Sequence, residues 1–213
     1  MSTALACEAS SPREVWEQID HYRFFAHVLA TPTHERYELL HSREFAETLR
    51  RLWHELLCDG RFPELGSFRT FADYEAAYIA LFDVGVPEPP VPLAESGHCK
   101  AVPAQQTALE NVLFYEVLGL RMNPGSSFAD HLQTQLEFLS AARYVGEHSC
   151  DAEDRTSAAR LERDFLQRHL LNWLPAAEAK LRRLRPPVFP AVFRLLVAFL
   201  QSRLRTVSAA PEM

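Results

Sequence analysis

Apolar side chains recur three or four positions apart in stretch after stretch of this chain, and the alternation that would mark half-buried strands hardly appears. Phe45, Leu49, Leu52, Trp53 and Leu56 fall on one face of a helix, as do Leu132, Leu136, Leu139 and Ala142. Only seven glycines interrupt 213 residues. A chain patterned in this way has one economical solution, in which helices bury their apolar faces against one another. Its length suits one generous core, so the expectation is a single all-α domain over residues 1–213, a bundle of eight to ten helices.

The local signals place these helices. Ser11-Pro12-Arg13-Glu14 has the form of a helix start, with a serine cap and proline at the first helical position, leading into Val15, Ile19, Tyr22, Ala26 and Leu29. Residues 1–10 before it are expected to be flexible. A short helix follows Thr33, and a longer one runs from Ser42 to Cys58, stopped by Gly60. Thr70 caps a helix carrying Phe71, Tyr74, Tyr78, Leu81 and Phe82, with Gly85 at its end. Five prolines then fall between Val86 and Pro103, so 86–103 is an extended connection, held to the body by Val86, Val91 and Leu93.

Beyond it, Ala104–Leu118 is helical, with Leu109, Val112, Leu113, Tyr115 and Val117 as its apolar set. Ser127 and Asp130 have capping-pair spacing for a helix to about Tyr144. Further helices span Asp151–Trp173, Pro175–Arg185 and Phe189 to about Arg205.

The composition limits function. The formal net charge is −6, which argues against nucleic acid as a partner. Between Glu178 and Glu212 lie seven basic residues (Lys180, Arg182, Arg183, Arg185, Arg194, Arg203, Arg205) and no acidic one. A solvated helical face explains them more economically than an anion-binding patch. Four dispersed cysteines form no CxxC pair, and the N-terminus lacks the basic and apolar segments of a secretion signal. The longest apolar stretch, Val188–Leu200, is broken by Arg194 and falls short of the ~20 residues a bilayer requires. No membrane insertion and a cytoplasmic location are expected.

Catalytic patterns are weak. His54-Glu55-Leu56-Leu57-Cys58 begins like a zinc-protease helix but ends in cysteine. The Glu38/His41 and Glu95/His98 pairs lack the additional glutamates of a di-iron site, and Ser96, His98 and Cys99 lack a nucleophile elbow and an orienting third group. No phosphate-cradling GxxxxGK occurs. No catalytic residue, metal or cofactor is assigned. Tyr78, Leu81 and Phe82 beside a proline-rich segment, with Asp130 and His131, instead have the makings of a groove for an apolar peptide with a charged end.

Three stretches carry a family resemblance. Tyr78-Ile79-Ala80-Leu81-Phe82 with its following prolines looks like the Y/W-x-x-L-F motif of the TorD/DmsD/NarJ family. Asp130-His131 resembles the second family motif, although the upstream Glu and Pro are replaced, leaving Ser127 and Ala129 nearby. Phe165–Pro175 resembles the family's F-x-x-x-H-L-x-x-W-x-P stretch.

The resemblance implies a TorD-like fold. It also implies a cytoplasmic chaperone that binds the apo catalytic subunit of a molybdenum oxidoreductase, often by its twin-arginine signal peptide, and assists cofactor insertion before export. By carry-over, Tyr78, Leu81 and Phe82 line the groove, Pro92 shapes its rim, and Asp130 and His131 contact the peptide. Glu88 and Glu95 are candidates for attracting the client's arginines. The branch serving dimethyl-sulfide, selenate or ethylbenzene-type enzymes is the most similar. A monomer or a helix-exchanged dimer is implied. Two other classes remain open: a small helical metal-dependent enzyme using the histidines, and a structural subunit of the redox complex.

Overall fold

The computed structural model describes residues 20–57, 61–122 and 129–209. The Ser11 cap, Gly60 and Ser127 lie outside them, as do residues 1–10. Within the described residues the chain forms nine α-helical segments and no strand: α1 (His21–Val28), α2 (His34–His41), α3 (Arg43–Leu57), α4 (Phe71–Tyr78), α5 (Ala104–Val117), α6 (Leu132–His148), α7 (Ala152–Phe165), α8 (Leu171–Leu184) and α9 (Phe189–Ala209). None is long and apolar enough to cross a membrane.

The cap chemistry explains where several begin. Thr33 accepts from the Arg36 amide at the head of α2. Thr70 and Asp73 exchange both bonds of a capping box at the head of α4. Asp20 caps α1 by accepting from the Tyr22 amide, so a helix starts at His21 inside the apolar run that began at Val15.

The last helix organises the core. Phe189, Val192, Phe193, Leu195, Leu196 and Leu200 are buried, and α9 packs against α3, α7 and α8. Side chains buried around most of its circumference identify it as the central rod. Each such large apolar side chain contributes about 1.5–3 kcal/mol of burial free energy. The second packing unit is α6 between α1 and α7.

Two expectations require correction. Pro175 does not divide the C-terminal helices: α8 runs through it, and the irregularity lies upstream, where a π-helical turn at Leu166–Leu170 joins α7 to α8. Proline removes one backbone donor. Burial of Trp173, Leu174, Ala177 and Leu181 on both sides of it holds the helix together.

The face of α5 is also rotated from its apolar pattern. Leu109, Leu113 and Val117 are 57%, 54% and 68% exposed, while Thr107, Asn111 and Tyr115 are buried. The inward face is polar because it meets buried polar groups from three other elements.

Candidate functional site

The 84–103 connection is where the two principal motifs meet. It leaves α4 through a second π-helical turn, Ile79–Asp83, in which the Val84 amide donates to the Ile79 carbonyl at 2.8 Å. Such turns open a helix by one residue and recur at functional positions. A tight bend follows. A side chain at Gly85 would put its Cβ 2.1 Å from the Glu88 carbonyl oxygen, so only glycine fits. The chain then doubles back: the Val91 amide donates to the Leu81 carbonyl at 2.9 Å. Val91 and Leu93 are buried as expected, whereas Val86 is fully exposed.

Asp130 and His131 grip the same loop from the other side. The Leu132 amide donates to the Leu93 carbonyl (2.8 Å), and the Glu95 amide donates to the Asp130 carbonyl (3.0 Å), forming one antiparallel bridge. The Asp130 carboxylate accepts from the Ser96 amide at 2.9 Å. Asp130 is therefore not the cap of α6. That position belongs to His131, whose Nδ1 accepts from the Gln133 amide at 3.3 Å. Pro92 is fixed by His98, whose Nε2 donates to the Pro92 carbonyl at 2.8 Å while its ring stacks on Trp173 at 4.7 Å.

Of the six groove residues, the structure brings all to this junction but exposes only some. Tyr78 and Phe82 are buried: the Tyr78 hydroxyl donates to the Leu29 carbonyl, and Phe82 packs edge-on against Phe189. Asp130 is buried with its carboxylate turned to the loop. Leu81, Pro92 and His131 are partly accessible. The exposed apolar groups around the π turn are Ile79, Val84 and Val86, which sequence reasoning did not single out as site residues. Exposed Asp83 closes the turn. Burial lowers the His131 pKa and raises that of Asp83, and the opposite charges partly offset both shifts.

The two candidate electrostatic contacts separate. Glu88 is exposed and ion-paired to Lys100, whose hydrogen bond lowers its pKa. Glu95 is not at the surface. It is 3% exposed, and its carboxylate accepts from Gln135 Nε2 (2.7 Å), Asn111 Nδ2 (3.1 Å) and His169 Nδ1 (3.0 Å).

This cluster explains the polar inward face of α5. The Tyr115 hydroxyl extends it by donating to the Asn111 Oδ1 (3.3 Å) and to the Ala129 carbonyl. With Nδ1 turned to Glu95, the buried His169 Nε2 is left without a partner. His169 lies in the other π turn, Leu166–Leu170. Both π turns thus hold the proline-rich loop, one through Leu81 and the other through His169. The signal available in sequence was a lone glutamate in a loop and the histidine of the third motif.

Among the described residues, no group of three or more His, Cys, Asp or Glu side chains is disposed to hold a metal ion, and Cys58 lies outside them.

Comparisons with known proteins bear on the family and the fold. A family model described as the nitrate reductase delta subunit matches residues 64–179, more than half of the chain and all three motifs. The chain is 31% identical to the dimethyl sulfide dehydrogenase assembly chaperone of Rhodovulum sulfidophilum, over 88% of this chain and 80% of that protein. It is 30% identical to the perchlorate reductase assembly chaperone of Dechloromonas aromatica (67% of this chain, 65% of that protein) and 34% identical to the selenate reductase assembly chaperone of Thauera selenatis (53% and 59%). The chain spans somewhat less than two thirds of the length of these last two relatives.

A crystal structure of a protein described as a candidate for redox enzyme maturation, from Archaeoglobus fulgidus, aligns over 93% of this chain and 99% of its own at 16% identity, with a TM-score of 0.53, a likeness of fold. The ordered motifs, the all-helical architecture and the matching family model together establish that this chain belongs to the nitrate reductase delta subunit family, within the TorD/DmsD/NarJ group.

Proposed function

We propose that this protein is an assembly chaperone for the catalytic subunit of a molybdenum oxidoreductase, acting in the cytoplasm and without catalysis of its own. It holds a twin-arginine signal peptide at the junction of the Ile79–Asp83 turn, the proline-rich loop and His131. The observation that carries this reading is the exposure of Ile79, Val84 and Val86 around a turn whose backbone is fixed from two sides. An apolar stretch of peptide would cover these side chains and Leu81. Asp83 is exposed and has no ion pair with Lys or Arg among the described residues, so it is available to a peptide arginine. In this reading Tyr78, Phe82 and Asp130 act from beneath, positioning the turn and the loop.

Named relatives of the chain are assembly chaperones for perchlorate, selenate, chlorate and dimethyl sulfide enzymes, which favours a client of that class. Timing of cofactor insertion before export follows if bound peptide is withheld from the exporter.

The test is calorimetric titration with twin-arginine signal peptides of molybdoenzyme catalytic subunits and their twin-lysine counterparts. Saturable binding that prefers twin arginine and weakens in Leu81→Ala/His131→Ala and in Asp83→Asn is expected. Equal binding of both peptides, or binding indifferent to these variants, would sink the proposal.

A further inference from the structure

A cavity of about 420 Å³ opens between α3, the segment around Leu65 and the α8–α9 connection. Its walls are apolar: Trp53, Pro63, Leu65, Pro187, Pro190 and Ala191. Its rim carries Arg182, Arg185 and Arg194 against Glu64 and Glu178. The three arginines are exposed, and none has an ion pair among the described residues. Arg182 sits where a cation complements the α8 C-terminus, which explains one of the three. Arg185 and Arg194 need another reason.

The aromatic arrangement supplies one. The Arg194 guanidinium lies 4.8 Å from the centre of the Trp53 ring, Trp53 meets Phe62 edge-on at 5.7 Å, and Arg50 covers Phe62 at 5.3 Å. Arginines stacked in this way are held in place with their donors still free. The Trp53 Nε1 is buried without a partner. The connecting backbone is held in the left-handed region at Arg185 (φ 54°) and at β-branched Val188 (φ 64°). Non-glycine residues are retained there only where the surroundings impose it, and such strain gathers at binding sites.

We infer that this cavity is a second polypeptide-binding site, which takes an acidic segment whose carboxylates meet Arg182, Arg185 and Arg194 while a neighbouring aliphatic or aromatic side chain enters beside Trp53. The inference rests on the reading that the protein holds another polypeptide, but it uses a surface and a charge opposite to those of the signal-peptide junction. The size suits one or two side chains, and three arginines against two glutamates leave the lining with a cationic excess.

The experiment is selection of a displayed random-peptide library on the full-length protein, with Arg182→Glu/Arg185→Glu/Arg194→Glu as the counter-selected variant. All three positions are exposed, and a thermal melt checks that the variant is folded. Enrichment of peptides with acidic residues beside a large apolar one, whose affinity falls about tenfold or more in the reversal variant, is the expected result. These peptides should bind Leu81→Ala/His131→Ala normally, so failure of the signal-peptide titration would leave this outcome intact. Enrichment without acidic residues, affinity unchanged by charge reversal, or displacement by inorganic pyrophosphate beyond that of sodium chloride at equal ionic strength would overturn the inference. The last would indicate a small-anion site.

Discussion

Two buried carboxylates, each 3% exposed, are satisfied in opposite ways. Glu162, on α7, receives a bidentate guanidinium from Arg203 of α9 (2.9 and 2.8 Å) and the Tyr22 hydroxyl of α1 (2.6 Å). Its partners are a permanent cation and a hydroxyl, and they join three helices already packed by apolar contacts. Glu95 receives two amides and an imidazole, and around it Gln135 Oε1 and His169 Nε2 have no partner. It joins a loop to helices. The first cluster locks a scaffold, while the second fixes a loop with weaker donors and leaves polar capacity unused. A loop tethered in this way can be displaced at lower cost than a helix.

The largest effect expected is at the scaffold. Glu162→Ala leaves Arg203 and Tyr22 without their acceptor and should lower stability by about 3 kcal/mol, read in urea unfolding. Glu95→Ala should lower global stability by only about 1–2 kcal/mol, but should strip exchange protection from amides in 91–99 well before the helices. Equal global losses for the two would remove the distinction. A smaller perturbation is Gly97→Ala, whose new Cβ would lie 2.4 Å from the Pro92 ring and should cost about 1 kcal/mol through a shifted loop. Its effect on peptide affinity should exceed that of any exposed substitution on α2.

The smallest effect concerns pH. Burial is the leading cause of lowered pKa values for His21, His27, His98 and His131 from 6.5. The unfolded chain then binds more protons than the folded one just below that pH. Stability from these groups is present above 6.5 and is lost as pH falls through the unfolded value toward the folded ones. Because His98 lies in the loop and His131 borders it, the protection factors of amides in 91–99 should fall on acidification before those of α9 do. A loop insensitive to acid would count against this arrangement.

The legible parts of the fold were those specified by neighbours in sequence. The helix after Thr33, the Thr70 cap and the stripe on α3 follow from residues a turn apart. The helix through Pro175 and the inverted face of α5 were hidden for one shared reason: contacts far along the chain overrule local preference. Asn111 turns inward because Glu95, Gln135 and His169 are there, at separations of 16, 24 and 58 residues. The site was legible as two motifs, and their direct contact through Leu93, Glu95 and Asp130 required the fold. Glu95 was read as a surface charge because a loop acid usually is one. Tyr78 and Phe82 satisfy a motif and a core pattern equally, so sequence could not separate lining from support.

The central claim is that the π turn, the proline-rich loop and His131 form one peptide-binding unit. Hydrogen exchange of the full-length protein, with and without a saturating twin-arginine signal peptide, tests it most directly. Protection confined to residues 79–95 and the start of α6 is the predicted result. Protection elsewhere, with that region unchanged, would contradict it.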